Sequence, residues 1–157
     1  MKKPYRPKSR EEIARNMGAI RSTENKTEKA LRSAIHRRGL RFHKYTKDLP
    51  GKPDFVFPAA RVAVFVDGDY WHSRVLQERG ERALVSSVRE NHREYWVAKF
   101  KRNVERDRLS DDALRALGWR VVRIWESDAK KNLERAATEV VRVVRVAAKG
   151  REKGHRT

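Results

Sequence analysis

Cysteine is absent from the 157 residues. Disulfides, thiolate catalysis and thiolate metal sites are therefore excluded, and any metal must rest on oxygen or imidazole. Long apolar runs are missing too: no stretch could span a bilayer, and no apolar segment of a secretory signal opens the chain. The expectation is a soluble, cytoplasmic protein. Internal repeats and extended low-complexity tracts are also lacking.

What is abundant is positive charge. Thirty-nine Lys and Arg stand against twenty-one Asp and Glu, a formal charge of +18 and a sequence pI near 10.8. A charge of that size selects a polyanion as partner, nucleic acid first; the plainer alternative is a basic surface that is merely solvated. The length suits one domain with a core of its own and is too short for two of ordinary size.

Residues 1–20 carry two prolines, many charges and a short helical pattern from Ile13 to Met17, and read as a flexible basic arm. From Thr27, the positions Ala30, Leu31, Ala34 and Ile35 make one apolar helix face, closed by Gly39. Two β-prone segments, Asp54 to Phe57 and Arg61 to Val66, are joined by a connection short enough for a hairpin. The second is apolar on both faces and reads as a central strand. Residues 73–92 lack a clean period and read as a long loop or partly helical insertion. Helical patterns return at about 93–103 and 107–117, WRVVRIW (119–125) reads as a buried strand, and Asp128 is a candidate cap for a last helix through Ala147. Residues 21–148 thus form one domain, with 149–157 a polar, frayed tail. The class is α/β, a central mixed β-sheet flanked by helices.

Chemistry concentrates at two strand ends. Pro53-Asp54 opens one strand, and Asp67-Gly68-Asp69-Tyr70-Trp71-His72 follows its neighbour. A carboxylate with a backbone carbonyl or second polar group suits a hard cation that keeps several waters. Such a cation is what phosphodiester hydrolysis requires. A Pro-Asp pair alone is most often a turn; the second cluster beside it, with an aromatic pair, raises its weight. Tyr70-Trp71 and Tyr95-Trp96 lie in basic surroundings, where they are either core residues or apolar wedges between base steps.

The blocks LPGKPDFVFPAARVAVFVDGDYWH and KFKRNVERDRLSDDALRALGWRVVRIWE resemble the very short patch repair endonucleases, a variant of the PD-(D/E)xK, restriction-endonuclease-like fold. The resemblance spans roughly Asn16 to Glu126 and includes Thr27-Glu28 and Asn103 to Asp107. It implies that Asp54 holds the catalytic metal, with the Val66 carbonyl and, directly or through water or charge, Asp67. It implies His72 as proton acceptor, Asp107 as the acid that orients it, and Glu28 acting from the first helix. It implies Tyr70, Trp71 and Trp96 as DNA wedges, with Met17 a further wedge from the minor groove.

The reaction so implied is nicking of one strand on the 5′ side of the mispaired T in a T:G mismatch. Mg2+ is the expected cation, with Mn2+ as a substitute. The expected partner is double-stranded DNA containing a mismatch, met in the nucleoid by a monomer, with a mismatch-repair protein as a candidate helper. Many relatives carry a structural zinc, but Asp69, Arg74, Leu76 and Ser127 stand at the matching positions here, and no tetrahedral ligand set remains. No structural zinc is expected. Two other readings stay open: a restriction-type, junction-cleaving or broader mismatch nuclease of the same fold, and a DNA-binding protein without catalysis.

Overall fold

The computed structural model describes residues 9–44 and 46–154, except for the side chains of residues 10, 13 and 16–25 in the first helix. That helix, α1, runs Arg10–Arg37. Its start follows from a reciprocal cap: the Glu12 amide donates to the Ser9 hydroxyl at 3.2 Å, and the Ser9 amide donates to the Glu12 carboxylate at 2.9 Å. Glu11 and Glu12 complement the positive end of the helix dipole, and His36 and Arg37 the negative end. The helix expected from Thr27 therefore begins far earlier, at Arg10. Gly39, with φ +86°, lies just beyond it as expected.

Four strands follow in the order β1-β2-β3-β4: His43–Lys44, Phe55–Phe57, Val62–Asp67 and Arg120–Trp125. The first two pairings are antiparallel and the last is parallel, with Val62 opposite Arg120 and Asp67 opposite Trp125. The mixed sheet, the hairpin and the interior place of β3 match the sequence expectation. Alternation sorts the side chains. Phe55, Phe57, Val62, Val64, Val122 and Ile124 pack on one face against Leu31 and Ile35 of α1 and the apolar stripe of the last helix. Val56, Ala63 and Phe65 pack on the other face with Leu114. β3 is thus buried on both sides.

The partly helical insertion expected after β3 is observed, and the helices that follow it differ from the sequence reading in three places. Residues 74–87 form α2 (Arg74–Ser87), kinked where Gly80 leaves helical geometry at φ 80°. The two patterns at 93–103 and 107–117 are one helix, α3 (Arg93–Ala116), which buries only Phe100 and Leu114. Those two residues are nearly four whole turns apart and so share a face, while the polar stretch between them contains no Gly or Pro to break it. Asp128 does not cap the last helix. It sits in the first turn of α4 (Glu126–Lys131), and Asn132 separates α4 from α5 (Leu133–Gly154), its side chain accepting from the Arg135 amide at 3.0 Å. α5 continues through the segment expected to fray, as far as Gly154. Among the described residues no helix is long and apolar enough to cross a membrane.

Phe55 is fully buried, and its ring meets Phe42 at 5.4 Å and Phe57 at 6.0 Å. Truncation there leaves a void in the core between the sheet and the helices on that face. Phe55→Ala is expected to lower unfolding free energy by about 3–5 kcal/mol in urea titration, with little change in the slope. A loss under about 1 kcal/mol would show that the ring is not part of the close-packed core.

Candidate active site

Asp54 is placed by the turn before β2. Gly51, at φ +72°, lies against α3 so closely that a Cβ there would come within 2.8 Å of the Ser110 Cβ. The Thr46 hydroxyl donates to the Pro53 carbonyl at 3.0 Å, and the Asp54 amide donates to the Val64 carbonyl at 3.0 Å. The Asp54 carboxylate then accepts the Val66 amide at 2.7 Å. In an extended strand the N–H and C=O of one residue leave the same edge. The Val66 carbonyl consequently faces the gap beside Asp54 rather than β4.

Glu28 of α1 and Asp54 line one cleft with Arg32, Thr46 and Lys52. Burial raises the Glu28 carboxyl above its usual range, against the opposing charges of Arg32 and Lys44, and Arg32 pairs with it at 3.1 Å. Burial likewise pushes Asp54 up to about 7; the Val66 hydrogen bond and His72 oppose the rise, and the charges of Glu28 and Asp67 add to it.

His72 closes the site from the other side. Its Nδ1 lies 2.5 Å from Asp107 Oδ2 on α3, and its Nε2 lies 3.7 Å from Asp67 Oδ1, beyond hydrogen-bond reach. Nδ1–H donating to Asp107 leaves the Nε2 lone pair free. Burial alone would lower the imidazole; the Asp107 hydrogen bond and the charges of Asp67 and Asp107 outweigh it and raise the pKa. Asp107 is held below its usual range because His72 and Arg123 overcome the effect of its burial.

Asp67, expected from the sequence as a further contributor to the metal site, is buried and engaged: Arg123 Nη1 donates to both its oxygens at 3.0 and 2.9 Å. Arg123 also grips Asp111 through Nε and Nη2, the latter at 2.7 Å. Sequence reasoning missed both residues. The available signal was a single arginine inside the otherwise apolar VVRIW strand, at the position level with Phe65.

The aromatics gather as a group. Tyr70 meets Trp71 at 5.2 Å and Phe100 at 5.0 Å, Trp96 stacks on Phe100 at 5.9 Å, and the Lys99 ammonium lies over Trp71 at 5.4 Å and Trp96 at 5.1 Å. Tyr70 is 60% exposed and Tyr95 55%, so these rings are not ordinary core. Met17 lies in α1, but its side chain is outside the described residues.

Three of the four positions matched to zinc ligands meet in a polar cluster. Arg74 Nη1 donates to Asp69 at 3.3 Å, the Ser127 hydroxyl at 3.0 Å and Asp128 at 2.9 Å, while the Ser127 amide donates to Asp69 at 3.1 Å. The fourth, Leu76, is a half-buried residue of α2. Among the described residues no three His, Cys, Asp or Glu side chains converge as a metal cluster. Asp54 offers one carboxylate beside backbone oxygen, a donor set that with water fits a hard divalent ion.

An acid with a backbone partner at a strand start, a histidine with one free nitrogen, and a half-exposed aromatic group under a lysine are the groups that phosphodiester cleavage and DNA binding call for. The profile of the DNA mismatch endonuclease Vsr family matches residues 5–78. A type II nicking enzyme, V.NmeDIP of Neisseria meningitidis serogroup C, is 39% identical over 129 residues, 82% of this chain and 83% of the relative. V.NaeI of Lentzea aerocolonigenes, another type II nicking enzyme, is 38% identical over 133 residues, covering 82% and 75%. The DNA mismatch endonuclease Vsr of Escherichia coli K12 is 36% identical over 113 residues, covering 72% and 68%. The chain belongs to the Vsr family of DNA mismatch endonucleases. It is a DNA endonuclease, and nucleases of this family are generally metal-dependent.

Two outcomes follow from the site. The carboxyl of Asp54 has its ordinary value near 3.8 in the unfolded chain and about 7 in the fold, so without a cation the fold loses stability as pH rises between those values. Asp54→Asn removes that loss. In chelator it is expected to melt above the native protein at pH 8, by a margin on the order of 1–4 kcal/mol, and to lose the advantage near pH 4. A margin independent of pH would show that Asp54 is not desolvated. Separately, a proton-accepting His72 must be neutral, so nicking should rise with pH through its raised pKa. Asp107→Asn should move that limb to lower pH and cut kcat roughly 10²-fold or more; an unmoved limb would detach Asp107 from His72.

Proposed function

We propose that this endonuclease nicks one strand of duplex DNA on the 5′ side of the mispaired T in a T:G mismatch, with Mg2+ as its cation and Mn2+ able to replace it. The observation that carries the reading is the turn from Asp67 to Ser73. Within it, His72 turns to Asp107 and Asp67, and Tyr70 and Trp71 turn to the exposed aromatic group. Proton transfer and detection of a poorly stacked base pair are thereby tied to one rigid segment.

Asp54 and the Val66 carbonyl would hold the cation, which supplies positive charge against the scissile phosphate and acidifies water. His72 Nε2 takes the proton from the attacking water, and Asp107 fixes the ring and stabilises the imidazolium that results. Glu28, sharing the cleft with Asp54, orients water there. Asp67, bound by Arg123, contributes charge beside His72 rather than a free ligand oxygen. Tyr70, Trp71 and Trp96 enter between base steps at the mispair, and the Lys99 ammonium meets phosphate. Met17 is a further wedge from the minor-groove side. The enzyme would work as a monomer, in the cytoplasm on nucleoid DNA, with a mismatch-repair protein as a candidate partner. The names of the relatives support both halves of this reading, mismatch recognition in one and strand nicking in the others.

The test is cleavage of a T:G duplex with Mg2+, set beside Asp54→Ala and beside chelator, and repeated on duplexes carrying other mispairs or none. Nicking by the native protein alone, at least tenfold faster on T:G, is expected. Equal activity in all three conditions would overturn the metal site, and preference for a fully paired duplex would overturn mismatch recognition.

A further inference from the structure

α3 brings Asp107 to within 2.5 Å of His72, yet apolar packing gives that part of the helix little hold. Phe100 and Leu114 are its buried residues, and every residue between them is half-buried or exposed. Polar contacts tie this stretch to the end of β3 and the turn after it. The Asn103 side chain donates to the Trp71 carbonyl at 3.0 Å, and Asp107 accepts from His72. Asp111 accepts from Arg123 of β4, through Nε at 3.0 Å and Nη2 at 2.7 Å. Asn103, Asp107 and Asp111 recur at every fourth position and so share one side of the helix. The free edge of the same guanidinium donates from Nη1 to both oxygens of Asp67, at 3.0 and 2.9 Å.

We propose that Arg123 is a positioning residue for proton transfer: by clamping Asp111 of α3 to Asp67 at the end of β3, it holds Asp107 in register with His72. The proposal rests on the reading of His72 and Asp107 given above. A guanidinium is planar and presents its donors in a fixed fork, so one group that grips an acid on each side sets the separation of the two acids. On one side, Asp111 lies about 6 Å along the helix axis from Asp107, and a shift of α3 at one passes to the other. On the other side, Asp67 opens the turn that carries His72, a turn closed by the His72 amide donating to the Gly68 carbonyl at 3.1 Å. Misplacing a catalytic group by about 1 Å can cost about 100-fold in rate. Arg123 faces Asp67, Asp111 and the Phe65 ring rather than the exposed aromatic group, so its role belongs to the chemical step and not to the grip on DNA.

Asp111→Ala opens one side of the clamp while Asp67 keeps its partner, and alanine suits a half-buried helix position. Arg123→Lys keeps the charge and loses the fork. Both are made in the full-length protein and again in Asp107→Asn, and all are assayed below the melting midpoint of every variant. The single-turnover rate of nicking a T:G duplex is measured with Mg2+, and the dissociation constant for that duplex in chelator. In the native background each substitution should slow nicking at least about tenfold while binding changes by less than about twofold. In Asp107→Asn, where the pair is already broken, the same substitutions should cost less than about twofold more. A general loosening of the fold would cost the same factor in both backgrounds. That result would overturn the clamp, as would a native rate in Asp111→Ala or in Arg123→Lys, or a loss of binding large enough to account for the slowing. An unchanged rate in Asp107→Asn alone would instead overturn the His72–Asp107 reading on which the clamp rests.

Discussion

A strand buried on both faces has no room for a charged side chain except at its ends. β3 meets that condition from Val62 to Phe65, with α1 and α5 on one face and α3 on the other. Its first chance to present polar groups comes at Val66 and Asp67, where the antiparallel partner β2 has already ended and β4 continues alongside. The backbone of Val66, left without a strand on one edge, is taken by the Asp54 carboxylate. The site is thus the point where a sheet pairing runs out and a side chain completes the ladder.

Charge balance around that point depends on Arg123. It bridges Asp67 and Asp111, and its guanidinium lies 4.1 Å from the centre of the Phe65 ring. Without it, Asp67 and Asp107 would face one imidazole with no guanidinium beside them, and Asp111 would keep only Arg115, at 4.0 Å. With it, Asp67 stays beside His72 while the charge between them is tempered. Burial still raises Asp67 above its ordinary range despite His72 and Arg123. The charges of Asp67 and Asp107 favour a proton on His72.

Period and punctuation made most of the fold legible in the sequence. The β2–β3 hairpin and the two-sided burial of β3 followed from Val62 to Val66 being apolar without interruption, and β4 from its run of Val and Ile. The errors came where helices take their stability from neighbours rather than from a continuous apolar stripe. α3 buries two residues widely spaced, so its middle read as a break. Asp128 and Asn132 are both capping types four residues apart, and only the packing of α4 selects Asn132. Of the candidate site, Asp54, His72 and Asp107 were recognisable through a family resemblance and do converge. Arg123 and Asp111 were not, because a lone arginine in an apolar strand declares no partner until α3 is laid across it.

The junction of Asp69, Arg74, Ser127 and Asp128 ties the turn after β3 to the start of α4, with the Arg74 guanidinium also 5.5 Å from the Trp125 ring. Nothing in this fastening can be sequestered by a competing ligand or converted by an oxidant. Its cohesion depends instead on ionic strength, since half-exposed guanidinium–carboxylate bonds weaken as counterions accumulate. The segment that carries the aromatic group is accordingly anchored in a way indifferent to trace-metal supply and redox stress, and responsive to the same salt that governs the grip on DNA.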